Sequence, residues 1–85
     1  MAIVTSEIAD ELIRDQGFDV IIPDIYTTIG VEAFKDKSIA GIEIPESIIA
    51  IENDAFSGNR LSNVYIPDSV ETIGSGASVS YTHLR

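Results

Sequence analysis

The three prolines of this chain, Pro23, Pro45 and Pro67, are spaced 22 residues apart, and the register holds on both sides of them. Val20, Ile42 and Val64 stand three residues before each Pro, and Ile22, Ile44 and Ile66 stand one before. Asp24, Glu46 and Asp68 follow directly. Ile29, Ile51 and Ile73 come six after, Ala33, Ala55 and Ala77 ten after, and Phe34 and Phe56 eleven after. Columns that agree in chemical type at one fixed period are the signature of a repeat architecture, in which each unit buries its apolar face only by stacking on the next. A chain of 85 residues holds few such units, and about three are needed for stability.

Composition agrees with extended, stacked units. Fifteen Ile stand against three Leu, and β-branched side chains suit pleated, buried surfaces. A hydrophobic content of 45% is too high for a disordered acidic tail. The net charge of −9, with five basic residues scattered along the chain, opposes binding to phosphate backbones or anionic lipid. No apolar run approaches the ~18 residues of a membrane span. The opening Met1–Ser6 stretch lacks the basic and apolar regions of a secretory signal. With no Cys there are no disulfides or thiolate metal ligands.

The stretch from Ile51 to Gly74, IENDAFSGNRLSNVYIPDSVETIG, resembles the BspA-like bacterial leucine-rich repeat, whose pattern runs I-G-x-x-A-F-x-x-x-x-L-x-x-I-x-I-P-x-S-V. The likeness covers about residues 18–77. It departs at Glu52, where Gly is usual, and at Ile25 and Tyr26, where Ser and Val are usual. The resemblance implies an α/β solenoid: a short right-handed coil stack with a small parallel sheet on one side, irregular or 3₁₀-like turns on the other, and an N-terminal capping helix. It implies a non-enzymatic protein-interaction or adhesion module, a fragment of a longer surface protein, in an extracellular or cell-surface setting.

Within one coil, alternation along the strand puts positions such as Val64 and Ile66 on one face, joined by Leu61 from the preceding turn. Ile39, Ile42 and Ile44 repeat this one coil earlier, and Phe18, Val20 and Ile22 one coil before that. Proline, lacking an N–H, then ends the strand. The Ile29, Ile51 and Ile73 column re-enters the core, and the Ala–Phe pairs pack the convex side.

Residues 1–17 read as a separate N-terminal cap. Ser6 is a candidate N-cap followed by Glu7, Asp10 and Glu11; Ile8, Ala9, Leu12 and Ile13 form an apolar stripe; and Gly17 suits a left-handed helix end. Ile8–Ile13 weakly echoes Ile29–Phe34. At the other end the pattern stops at Ala77. Residues 78–85 resemble translated adapter sequence and are expected to be disordered or non-native. The last coil then leaves Val64, Ile66 and Ile73 with an uncovered edge, which favours weak end-to-end self-association.

No catalytic set can be assembled and no cofactor is implied. His83 lies in the tail, there is no G-x-S-x-G elbow, and Gly74–Gly76 lacks the rest of a phosphate loop. Ser57–Gly58–Asn59 reads as a turn between convex and concave sides, and Thr27–Thr28 as residues satisfying coil backbone. The acids Asp24, Glu46 and Asp68 would stack about 4.8 Å apart. They read as turn residues after Pro, with a calcium ladder as the alternative. The outward strand positions form two columns, Asp19, Gly41, Asn63 and Ile21, Glu43, Tyr65, of which Asp19, Ile21, Glu43, Asn63 and Tyr65 are the candidate partner-binding residues on the concave face. The expected partner is a protein or host-surface ligand. Spacer coils in a longer array, or a calcium- or carbohydrate-binding module, are the competing readings.

Overall fold

The computed structural model describes residues 2–59, 61 and 64–76. The element order is β1 (Ile3–Val4), α1 (Ser6–Gln16), β2 (Asp19–Ile21), β3 (Thr28–Ile29), β4 (Gly41–Glu43), β5 (Ala50–Ile51) and β6 (Thr72–Ile73). All strand pairs are parallel. In β2–β4 the partners are Asp19 with Gly41, Val20 with Ile42 and Ile21 with Glu43. In the larger sheet, ordered β1-β3-β5-β6, Thr28 pairs with Ala50 and Ala50 with Thr72, and Ile29 with Ile51 and Ile51 with Ile73. Each of these partners lies 22 residues from the next, so the sequence period is also the hydrogen-bond register. The expectation of one sheet backed by irregular turns is corrected: there are two sheets, β2–β4 and a larger one in which the Ile29–Ile51–Ile73 column forms short strands of its own.

The segments between the sheets repeat as well. Glu32 N–H donates to Asn53 C=O (3.0 Å) and, one unit later, Asp54 N–H to Ser75 C=O (3.1 Å). Phe34 N–H reaches Ala55 C=O at 2.8 Å and Asp36 N–H reaches Ser57 C=O at 2.9 Å. Aiming these groups at the neighbouring unit takes positive φ at fixed columns. Glu32, Asp54 and Gly76 form one column at 57°, 58° and 68°; Asp36 and Gly58 form the other at 56° and 76°. The left-handed conformation is therefore set by the stack, since non-glycine residues adopt it reluctantly. After each Pro comes a turn closed from Pro23 C=O to Tyr26 N–H, Pro45 to Ile48 and Pro67 to Val70. Asp24, Glu46 and Asp68 stand just inside these turns, as the turn reading expects.

The core runs through the stack. Val20, Ile22, Ile29, Ala33, Phe34, Ile39, Ile44, Ile51, Ala55, Phe56, Leu61, Val64 and Ile66 are buried, and Ile42 packs half-buried against them. Val64 and Ile66 thus do not present the uncovered edge expected of them. Ile73 does remain 38% exposed. Phe18 departs from expectation at 55% exposed, because the residue in register with Ile39 and Leu61 is Gly17; the aromatic ring is one position out of the inward row. Thr27 N–H donates to Ala2 C=O at 2.9 Å, consistent with its expected backbone role.

The first unit differs. Ile3 pairs with Thr28 and Val4 with Ile29, an offset of 25. The three extra residues all lie between β1 and β2, where α1 replaces the turns of later units and packs on both strands. Ile29 is therefore matched by Val4, and the echo at Ile8 is not a register position. The helix is capped by Thr5, not Ser6. Thr5 is still extended after β1 (φ −95°, ψ 172°), and its hydroxyl accepts from Ile8 N–H at 3.2 Å. Gly17 ends the helix at φ 82°, ψ −155°. That is a glycine conformation, but extended in ψ, because the chain enters β2 directly. The expected non-native tail, 78–85, lies outside the described residues.

Candidate interaction face

The outward side of β2–β4 brings together most of the residues singled out as partner-binding. Inward side chains hold the strands in the core, so the alternate positions are free of packing duty. Asp19, Ile21 and Glu43 are all exposed, Ile21 at 57%; Tyr65, in the extended segment one unit on, is 54% exposed. Asn63 lies outside the described residues. Pairing sets Ile21 beside Glu43 and Asp19 beside Gly41. The missing side chain at Gly41 lets the Asp19 carboxylate lean across: a Cβ there would meet Asp19 Oδ1 at 2.6 Å. Two shallow clefts follow the face. One of about 340 Å³ is lined by Asp19, Ile21, Gly41 and Glu43. The other, of about 610 Å³, is lined by Glu43, Pro45, Glu46 and Tyr65.

The face is acidic. The described lysines pair elsewhere, Lys37 Nζ with Asp10 Oδ1 at 2.7 Å and Lys35 Nζ with Glu32 Oε2 at 3.5 Å. The face presents carboxylates, a phenol and an aliphatic side chain on a hydrogen-bonded frame. Among the described residues no group of three acidic or histidine side chains comes together to hold a metal ion. No helix among the described residues is long and apolar enough to cross a membrane.

Two polar side chains that anchor the frame were not singled out by sequence reasoning. Asn59 was read only as part of a turn. Its Oδ1 accepts from Lys37 N–H (3.0 Å) and Ile39 N–H (3.1 Å), and its Nδ2 donates to Phe34 C=O (2.6 Å) and Phe56 C=O (2.9 Å). It satisfies backbone in its own unit and the one before. The second is Gln16, whose side-chain amide bonds the backbone of Ile21 in β2. Asn59 aligns with Lys37 and Asp15 at the period, so no column of one residue type marks it.

Parallel strands in 22-residue register after the first unit, with Ile rows and Ala–Phe pairs buried between units, define a leucine-rich repeat protein with a solenoid-like fold. Residues 16–85 match the family described as BspA type leucine rich repeat region (6 copies), and the chain belongs to that family. No curated protein and no solved structure gives a significant match.

Proposed function

We propose that this chain is a non-enzymatic protein-interaction module that binds its partner through the outward face of β2–β4 and Tyr65. The observation that carries this reading is the contrast between rows. The inward columns repeat, as Val20, Ile42, Val64 and Ile22, Ile44, Ile66, whereas the outward one runs Ile21, Glu43, Tyr65. Stacking alone asks nothing of those outward side chains. Spacer coils would be expected to repeat them; a recognition surface varies them. Tyr65 offers large contact area for few rotatable bonds, a property favoured at interface centres.

Leucine-rich repeats in general mediate protein interactions and are not catalytic, and the BspA type is typically associated with bacterial surfaces. The finer reading is adhesion to a protein or host-surface ligand at such a surface, with α1 covering the first unit of the stack and residues 18–77 forming the repeats. Immobilised chain should capture its partner from a surface-protein extract; Tyr65→Ala and Glu43→Lys should weaken capture while leaving the denaturation midpoint unchanged. Equal capture by both variants would remove this face as the site.

A further inference from the structure

Edge strands carry unpaired N–H and C=O groups that invite another strand. β2 has β4 on one side and no strand on the other among the described residues. Along this segment, Phe18 and Ile22 turn their backbone groups to the β4 side: Phe18 C=O accepts from Ala40 N–H at 2.8 Å, and Ile22 N–H donates to Glu43 C=O at 3.2 Å. Backbone groups alternate in direction along a strand, so those of Ile21 point away from β4. Both are taken by one side chain. Ile21 N–H donates to Gln16 Oε1 at 2.9 Å, and Gln16 Nε2 donates to Ile21 C=O at 3.0 Å. The primary amide at the end of α1 thus supplies the acceptor and the donor that a neighbouring strand would offer. Beside it, Phe18 and Ile21 expose apolar surface at 55% and 57%.

We propose that Gln16 is an edge guard: it keeps β2 the last strand of its sheet and prevents a second copy of this chain from adding a parallel strand there. A second copy is the fitting occupant because its strands already pair in parallel at a common register. An added strand would continue the same ladder and cover Phe18 and Ile21. The guard makes self-association at this end conditional on releasing one side chain.

The test compares the wild-type chain with Gln16→Ala and Gln16→Glu. In Gln16→Ala the Ile21 amide should exchange with solvent about tenfold faster, the factor for one net hydrogen bond. Its weight-average mass in sedimentation should rise with concentration beyond that of wild type. Gln16→Glu keeps the acceptor for Ile21 N–H but loses the donor to Ile21 C=O, so its Ile21 amide should stay slow while association still increases. If Gln16→Ala does not fold, Gln16→Glu decides alone. Unchanged mass at every concentration in the folded variants, or an Ile21 amide that is no faster in folded Gln16→Ala, overturns the proposal.

Discussion

The rings of Phe34 and Phe56 stack with centroids 5.6 Å apart and planes 20° from parallel, joining equivalent positions of successive units. Both are buried, with Ala33 and Ala55 making room beside them. Phe56→Ala should therefore lower stability by about 3–5 kcal/mol, the range for a buried aromatic. Because the rings touch, the double variant with Phe34→Ala should lose less than the sum of the single losses. Denaturant melts of the single and double variants measure both; a single loss under about 1 kcal/mol would contradict the burial.

Asn59→Ala should cost about 2 kcal/mol, since it strands backbone groups of Phe34, Lys37, Ile39 and Phe56 at once. Asn59→Asp keeps the acceptor for the two N–H groups but sets a carboxylate against two carbonyls, so it should fall well short of wild type. Urea midpoints report the order expected: wild type above both variants.

The positive-φ columns separate residue type from backbone demand. Gly58→Ala should destabilise by about 1–2 kcal/mol, because φ is 76° there and the new methyl would collide with the Asp36 carboxylate. Asp54→Gly, at φ 58° in the other column, should change stability by less than about 1 kcal/mol. A reversed order in thermal melts would argue against a backbone cause.

Helix capping gives a sharper local test. Thr5→Ala removes the acceptor of Ile8 N–H and should cost about 1 kcal/mol. Ser6→Ala, inside the first turn, should stay within about 0.5 kcal/mol of wild type. Chemical denaturation of the two variants distinguishes them.

Much of the repeat frame could be read along the chain. Val20, Ile42, Ile29, Ile51 and Ile73 fall in strands and Val64 is buried in register with Val20 and Ile42, because units that stack on one another ask for the same residue type at the same spacing. Phe18 is not legible in this way, because an aromatic beside a strand resembles a core residue while the register assigns the inward position to Gly17. The cap is ambiguous between Thr5 and Ser6 in sequence, since both hydroxyls suit a cap and only the end of β1 decides between them. Of the candidate face, Asp19, Ile21, Glu43 and Tyr65 were legible from alternation alone. The bonds of Asn59 and Gln16 were not, as one joins units 20 or more residues apart and the other bends a helix-end amide back onto a strand.

The sequence by itself determined the period, the inward rows and the turn after each Pro, because each depends on residue type recurring at one spacing. The tertiary structure decided what depends on a neighbour in space. It added a second sheet along the Ile29, Ile51 and Ile73 column and set left-handed φ at Glu32 and Asp54, where backbone must reach the next unit. It lengthened the first unit by three residues to hold α1. It closed the edge of β2 with Gln16, since a free strand edge has no mark in composition or period and appears only when the last strand is in place.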